Sequence, residues 1–451
     1  VSGACADPAI APRRIETTHR RIVLLALPMM LSHVTTPLLG LVDATVIGRL
    51  GEAHLLGAVA IGGVIFDFLF WSFAALRMGT AGLTAQAYGR GDDREIDRVL
   101  ARALAIVALA GAALVLLQWP VGLAIFALVG ASSAVTDAAW AYYDLRIWSA
   151  PFAFANYAIL GSVIGRGRTD LGLVLQVSIN VVNIALTLVL VAGLGLGVRG
   201  AALGTLLAEA AGVGLGLVVL ARLGSRPFAV PRMDLLEREK LLAMLGLNAD
   251  IVVRTVALLL AFGVFTAYGA RQGDVTLAAN AVLYNMFLIG GYFLDGFATA
   301  TEQLCGQALG SRDARGFRRA TGLALFWCLL FGAGSSLLFL AFGNSFIDFI
   351  STNAEVRAAA RDFLVFAALT PVVGAAAFTF DGVYIGATWG RAMRNLMLIA
   401  FAIFLATFLV LLPLGNAGLW TALLVFLAVR GIGQGLLFPR LARASFPPAA
   451  G

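Results

Sequence analysis

Gln86-Ala87-Tyr88-Gly89 and, 221 positions later, Gln307-Ala308-Leu309-Gly310 are two copies of one phrase. The same shift lays Thr80 on Thr301, Asp92 on Asp313, Arg94 on Arg315 and Arg98 on Arg319 without a gap, so the chain is written as two related halves. Around the repeat the sequence is 60% hydrophobic and 13% charged, with a mean hydropathy of +0.92, far too apolar for a soluble protein of 451 residues. Apolar runs long enough to cross a bilayer recur along the whole length, and such runs must be helical to satisfy their backbone groups internally. We read twelve spans: 22–47, 55–88, 99–130, 134–165, 171–193 and 197–222 in the first half, then 241–269, 277–309, 319–345, 357–388, 392–413 and 417–440.

Six spans per half make both halves enter the membrane in the same sense. The expected fold is all-α and polytopic, with two pseudo-symmetric six-helix lobes related by an axis along the membrane normal. The chain then divides into a tail (1–21), a lobe (22–222), a polar linker (223–240), a second lobe (241–442) and a tail (443–451). With the N-terminus inside, 23 of the 32 Lys and Arg residues fall on the cytoplasmic side, whereas only Arg49, Arg199, Arg271, Arg357 and Arg361 fall outside. Both termini are therefore expected in the cytoplasm of a bacterial cell, with the protein in its inner membrane. The first apolar run exceeds a signal-peptide core and lacks a convincing small-residue cleavage site, so it is read as an uncleaved first helix.

Several function classes are disfavoured. Basic residues spread over every inner loop form no nucleic-acid-binding domain. Lys240 is the only lysine and no phosphate-binding glycine pattern precedes it, which excludes an ATP-driven pump in this chain alone. His19, His33 and His54 have no metal-ligand spacing and no glycine-flanked nucleophilic serine stands out, so neither a metal site nor an enzyme is expected. Cys5 falls in the tail, while Cys305 and Cys328 fall in helices as packing residues.

Ionisable residues inside spans are costly and mark function by default. Asp43 lies on the first helix between Leu38–Leu41 and Ala44–Ile47, and the repeat sets Val264 opposite it, so only one half carries this acid. Pro28 and Pro37 precede it on the same helix, each removing a backbone hydrogen bond and permitting a bend. The fifth helix offers Asn180 and Asn183, with Thr187 one turn beyond Asn183. Thr205 follows the small-residue run Gly200–Gly204, which lets the sixth helix approach closely. Asn and Thr of this kind are commonly interhelical glue, and only convergence on Asp43 makes them ion ligands. In the second half, Arg254 and Asp250 are expected to form a local ion pair. Asp295 and Glu302, seven apart, share a face suited to lining a cavity, and Asp381 either joins them or neutralises Arg254. Several of Asp67, Arg77, Asp144, Arg146, Glu209 and Arg430 are read as packing pairs or groups near an interface.

The stretches Leu27-Pro28 to Asp43-Ala44-Thr45-Val46-Ile47-Gly48-Arg49-Leu50-Gly51, Gly79–Ala87 and Gly197–Ala202 resemble the multidrug and toxic compound extrusion (MATE) family. Asn248-Ala249-Asp250-Ile251 with Arg254, Leu294–Ala298 with Glu302, and Phe380–Thr388 resemble its DNA-damage-inducible F (DinF-like) branch. The resemblance covers nearly the whole chain after residue 20. It implies efflux of lipophilic, often cationic compounds driven by inward flow of protons or sodium. It also implies that Asp43 is the family's first-helix carboxylate, Pro28 its bending proline, Asn183 the fifth-helix asparagine and Thr205 the sixth-helix threonine. Where many relatives carry a second aspartate four residues after that asparagine, this chain has Thr187.

One carboxylate with neutral oxygens compensates a hard cation poorly, whereas a lone, poorly solvated carboxylate can bind and release a proton. The expected function is therefore secondary active multidrug antiport by alternating access, with H+ as coupling ion, no cofactor, and a monomer in contact with membrane lipid. Sodium-coupled efflux and a lipid-linked precursor flippase are the rivals, and a non-transporting scaffold is the reading from another class. A charge crossing about 100 mV yields roughly 2.3 kcal/mol, and one pH unit about 1.4 kcal/mol per proton. If one proton is exchanged for one monovalent cation, no net charge moves and only the pH gradient drives export.

Overall fold

The computed structural model describes residues 11–129 and 132–447, and among them all regular structure is helical. Cys5 and the ends of both tails lie outside the described residues. Twelve helices are long and apolar enough to cross a membrane: α1 (His19–Gly48), α2 (His54–Arg90), α3 (Asp93–Leu116), α4 (Ser133–Gly165), α5 (Thr169–Gly193), α6 (Gly197–Arg222), α7 (Arg238–Arg271), α8 (Asp274–Gly310), α9 (Ala314–Ile350), α10 (Ala354–Gly386), α11 (Gly390–Val410) and α12 (Leu412–Ser445). The expected all-α, twelve-span class is borne out.

The third span differs from its expected 99–130. Its helix ends at Leu116 and a separate short helix, Gln118–Val129, follows. Pro120 sits in the first turn of that helix, where a missing N–H costs no bond, and the Tyr143 hydroxyl donates to the Gln118 carbonyl at 2.9 Å. Three other spans change pitch. α2 breaks at Ala74, α4 passes through a 3-10 turn at Ile147–Ser149, and α5 turns π-helical over Leu188–Gly193, directly after Thr187.

The internal repeat has a physical basis. Asp92 and Asp313 are equivalent N-caps, accepting from the backbone N–H of Glu95 at 2.9 Å and of Gly316 at 2.8 Å respectively. The preceding residues, Gly91 and Arg312, both take left-handed backbone conformations at φ 78° and 58°. Gly89 and Gly310 mark a reciprocal crossing: a Cβ on Gly89 would run into the Gln307 carbonyl, and one on Gly310 into the Gln86 carbonyl. The repeated Gln-Ala-x-Gly phrase is thus where two equivalent helix ends touch backbone to backbone.

The chain forms two compact units. One comprises the described residues up to Met30, the segment Ala85–Gly91, and everything from Gly246 onward; the other comprises Leu31–Thr84 and Asp92–Leu245. The start of α1 joins the former because Gly296 lacks a side chain, which brings the Ala26 carbonyl to 2.9 Å and the Met30 nitrogen to 3.2 Å from where a Cβ would stand. That unit is cored by Trp420, Phe404, Phe426 and Leu423, with Asn280 and Asn416 exchanging amide hydrogen bonds at 2.8 and 2.9 Å and the Trp420 indole donating to Asn280 at 2.9 Å. The other is cored by Phe66, Phe70, Tyr142, Tyr143 and Phe154. Within it the polar linker is pinned against α3. Arg102, only 2% exposed, donates to the Asp234 carbonyl at 2.8 Å and pairs with Glu95 at 3.0 Å, while Arg98 pairs with Asp234 at 2.9 Å.

Candidate functional site

In the unit containing residues 31–84 and 92–245, α5 is polar where it is buried. Asn180, Asn183 and Thr187 are buried, whereas Val174, Val181 and Leu188 are exposed, the inverse of a soluble helix and the pattern expected where the outer face meets lipid. Three- and four-residue spacing puts the three polar groups on one face. Gly204 lets α6 close on them: a Cβ there would lie 3.2 Å from both the nitrogen and Oγ1 of Thr187. The Asn183 amide donates to Thr205 Oγ1 at 2.9 Å, and Thr205 in turn donates to the Ala201 carbonyl at 3.1 Å. Thr187 reaches Asn183 Oδ1 at 3.4 Å. Asn180 donates to Thr35 Oγ1 of α1 at 2.9 Å and accepts from Gln176 at 3.3 Å.

Asp43 sits beside this chain of polar groups, 7% exposed. Its carboxylate lies near the Thr187 hydroxyl and within electrostatic reach of Arg146, while its Oδ1 has no hydrogen-bond partner. The Thr187 hydroxyl therefore stands between two acceptors, a carboxylate and an amide oxygen, and has one hydrogen to give. The structure brings Asp43, Asn183, Thr187 and Thr205 together; Asn180 connects the same helix to α1 at Thr35. Pro28 and Pro37 both lie within α1, the side chain of Pro37 outside the described residues.

The sequence reading underrated Arg146. Its guanidinium donates to the Tyr142 hydroxyl, one turn back on α4, and its Cζ stands 5.0 Å from the centre of the Phe66 ring and 5.4 Å from that of Tyr142. Asp43 and Asp67 are both within its electrostatic reach. Asp67 is exposed although it lies within the apolar helix α2. The available signal was the Tyr142/Arg146 spacing of four, which places both on one face of a helix whose other intramembrane charges are few. Glu209 is held by the Asn156 amide at 2.7 Å.

In the other unit the expected Asp250–Arg254 pair does not form. Arg254 instead donates to Asp381, which also receives Arg430 at 2.7 Å and the Gln434 amide at 2.8 Å; all four are buried. Asp250 receives Arg394 at 2.6 Å. Both carboxylates are buried, and each meets an arginine from another helix: Asp381 takes Arg254 and Arg430, and Asp250 takes Arg394. Neutralisation of Arg254 by Asp381, one of the two expected roles, is what the geometry shows. Asp295 is half-buried and within electrostatic reach of Arg430, and Glu302, two turns on, is buried.

Twelve apolar helices, with a buried carboxylate set among amide and hydroxyl groups inside them, define a polytopic membrane protein of transporter type. Residues 28–189 and 251–411 match the MatE family. The chain is 39% identical over 424 residues to DNA damage-inducible protein F of Escherichia coli strain K12, covering 92% of this chain and 91% of that protein. It is 29% identical over 459 residues to the probable multidrug resistance protein NorM of Deinococcus radiodurans, covering 94% and 97%. Among solved structures, MATE in the bent conformation superimposes with a TM-score of 0.87 at 18% identity, over 95% of this chain and 96% of that one. The chain belongs to the MatE family of multidrug and toxic compound extrusion transporters, and the resemblance read from its residues is borne out.

Proposed function

We propose that this transporter exports lipophilic, often cationic compounds across a bacterial inner membrane in exchange for protons, with both termini in the cytoplasm and Asp43 as the protonation site. The observation that carries the reading is the company Asp43 keeps on α5: it stands beside neutral Thr187, which is joined to Asn183 and through it to Thr205, and Thr187 fills the place where a sodium cage would want a second carboxylate. Ionised, Asp43 takes the Thr187 hydrogen. Protonated, it becomes a donor itself, and the Thr187 hydrogen is free to turn to Asn183 Oδ1, so one proton reverses a short chain of hydrogen bonds between α1, α5 and α6. Loss of the charge also weakens the hold of Arg146 on α1, which can then bend at Pro28.

A proton and a cationic substrate competing for Asp43 make substrate affinity rise with pH. In detergent, wild-type protein is expected to bind tetraphenylphosphonium about ten-fold more tightly at pH 8 than at pH 6, and Thr187→Val to compress that ratio to about two-fold while Thr187→Ser keeps it. Thr187→Asp is expected to add sodium dependence that the parent lacks. A wild-type affinity independent of pH, with efflux still driven by protons, would move the protonation site elsewhere, to Asp295 or Glu302.

A further inference from the structure

A lipophilic cation entering the Asp43 region needs two things, a carboxylate to offset its charge and an aromatic face to receive its body. One group of the protein, Arg146, lies over the aromatic faces and within electrostatic reach of the carboxylate. The Arg146 guanidinium lies over the rings of Phe66 and Tyr142 at 5.0 and 5.4 Å and donates to the Tyr142 hydroxyl, yet its Nε is buried with no hydrogen-bond partner. From the elements around it, Asp43 on α1, Asp67 on α2, Tyr157 on α4 and Glu209 on α6 are all within electrostatic reach of this one cation. A structural arginine is held by direct contact with a carboxylate, as Arg254 and Arg430 each are by Asp381 elsewhere in the chain. Arg146 instead has a phenol hydroxyl, two ring faces and several acids at longer range. That arrangement holds a cation without fixing it.

We infer that Arg146 is a tethered stand-in for the cationic substrate: it occupies the acids and aromatic faces of this site when the site is empty, and substrate binds by displacing it. The inference rests on the reading of the Asp43 region as the cation-exchange site. It gives Arg146 a specificity role, because a neutral molecule cannot take over its contacts with Asp43 and Asp67, whereas a monovalent organic cation can. It also supplies a release step. Once substrate has left, Arg146 returns to the acids, which keeps the emptied site from rebinding it.

The test is calorimetric binding of tetraphenylphosphonium to the purified full-length protein at pH 7.5, together with efflux kinetics in proteoliposomes. Arg146→Gln, which keeps length and a donor but removes the competing charge, is expected to bind about ten-fold more tightly and to show KM and kcat falling together, while Arg146→Lys stays within about three-fold of wild type. Unchanged or weaker binding by a monodisperse Arg146→Gln protein overturns the inference. Should that variant not fold, Tyr142→Phe, which only loosens the guanidinium, is expected to tighten binding about three-fold, and unchanged or weaker binding there overturns it equally. Asp43→Asn separates the two levels. Loss of binding in Asp43→Asn beside unchanged affinity in Arg146→Gln removes the stand-in alone, whereas full binding by Asp43→Asn removes the reading beneath it.

Discussion

Asp43→Asn is expected to leave the protein folded and to reduce pH-driven efflux by roughly 100-fold or more, since a side chain that cannot titrate gives the pH gradient nothing to act on. Folding survives because the amide is nearly isosteric, still offers the Thr187 hydroxyl an acceptor, and removes a buried charge. The check is efflux of a fluorescent lipophilic cation from proteoliposomes under an imposed pH gradient, with detergent size-exclusion profiles establishing that the variant is intact. Wild-type rates from Asp43→Asn would end the assignment of this residue as the protonation site.

The opposite outcome, lost structure, is expected at Asp381. Its carboxylate is the shared acceptor for Arg254 and Arg430, both buried, so Asp381→Ala leaves two guanidiniums facing each other in a low-dielectric interior. Breaking a buried ion pair by removing one partner costs about 3–5 kcal/mol. Thermal melting followed by intrinsic fluorescence should therefore show a strongly destabilised or unrecoverable protein. Asp381→Asn, which keeps an acceptor, should fall between the two, and combining Asp381→Ala with Arg430→Met should recover part of the loss by removing the orphaned charge. Melting of Asp381→Ala at the wild-type temperature would show that this cluster is not structural.

These two acids illustrate what a sequence discloses. Asp43 was legible because it interrupts an apolar run, and its neighbours Asn183, Thr187 and Thr205 because helical spacing puts two of them on one face and the small residues around Gly204 bring the third close. The twelve spans were legible because bilayer thickness imposes a minimum apolar length. Even the repeat had local causes, namely an N-capping aspartate and a glycine where backbones touch. Partners chosen through space were legible only in part, with Asp381 expected either to join the acids or to neutralise Arg254. Arg254 passed over Asp250, four residues away, for Asp381, 127 residues away, while Asp250 took Arg394, 144 residues away. The approach of Arg146 to Asp43 was likewise hidden, since nothing in either stretch names the other. Nor does chain order tell that the first turns of α1 and the last turns of α2 pack with the second half.

The most direct test of proton coupling through Asp43 imposes the two ion gradients one at a time on wild-type protein in proteoliposomes, with a fluorescent lipophilic cation as substrate and the membrane potential clamped. The account predicts that a pH gradient drives transport, that a sodium gradient at equal pH does not, and that the response to the pH gradient disappears in Asp43→Asn. Transport that follows the sodium gradient and ignores pH would contradict it.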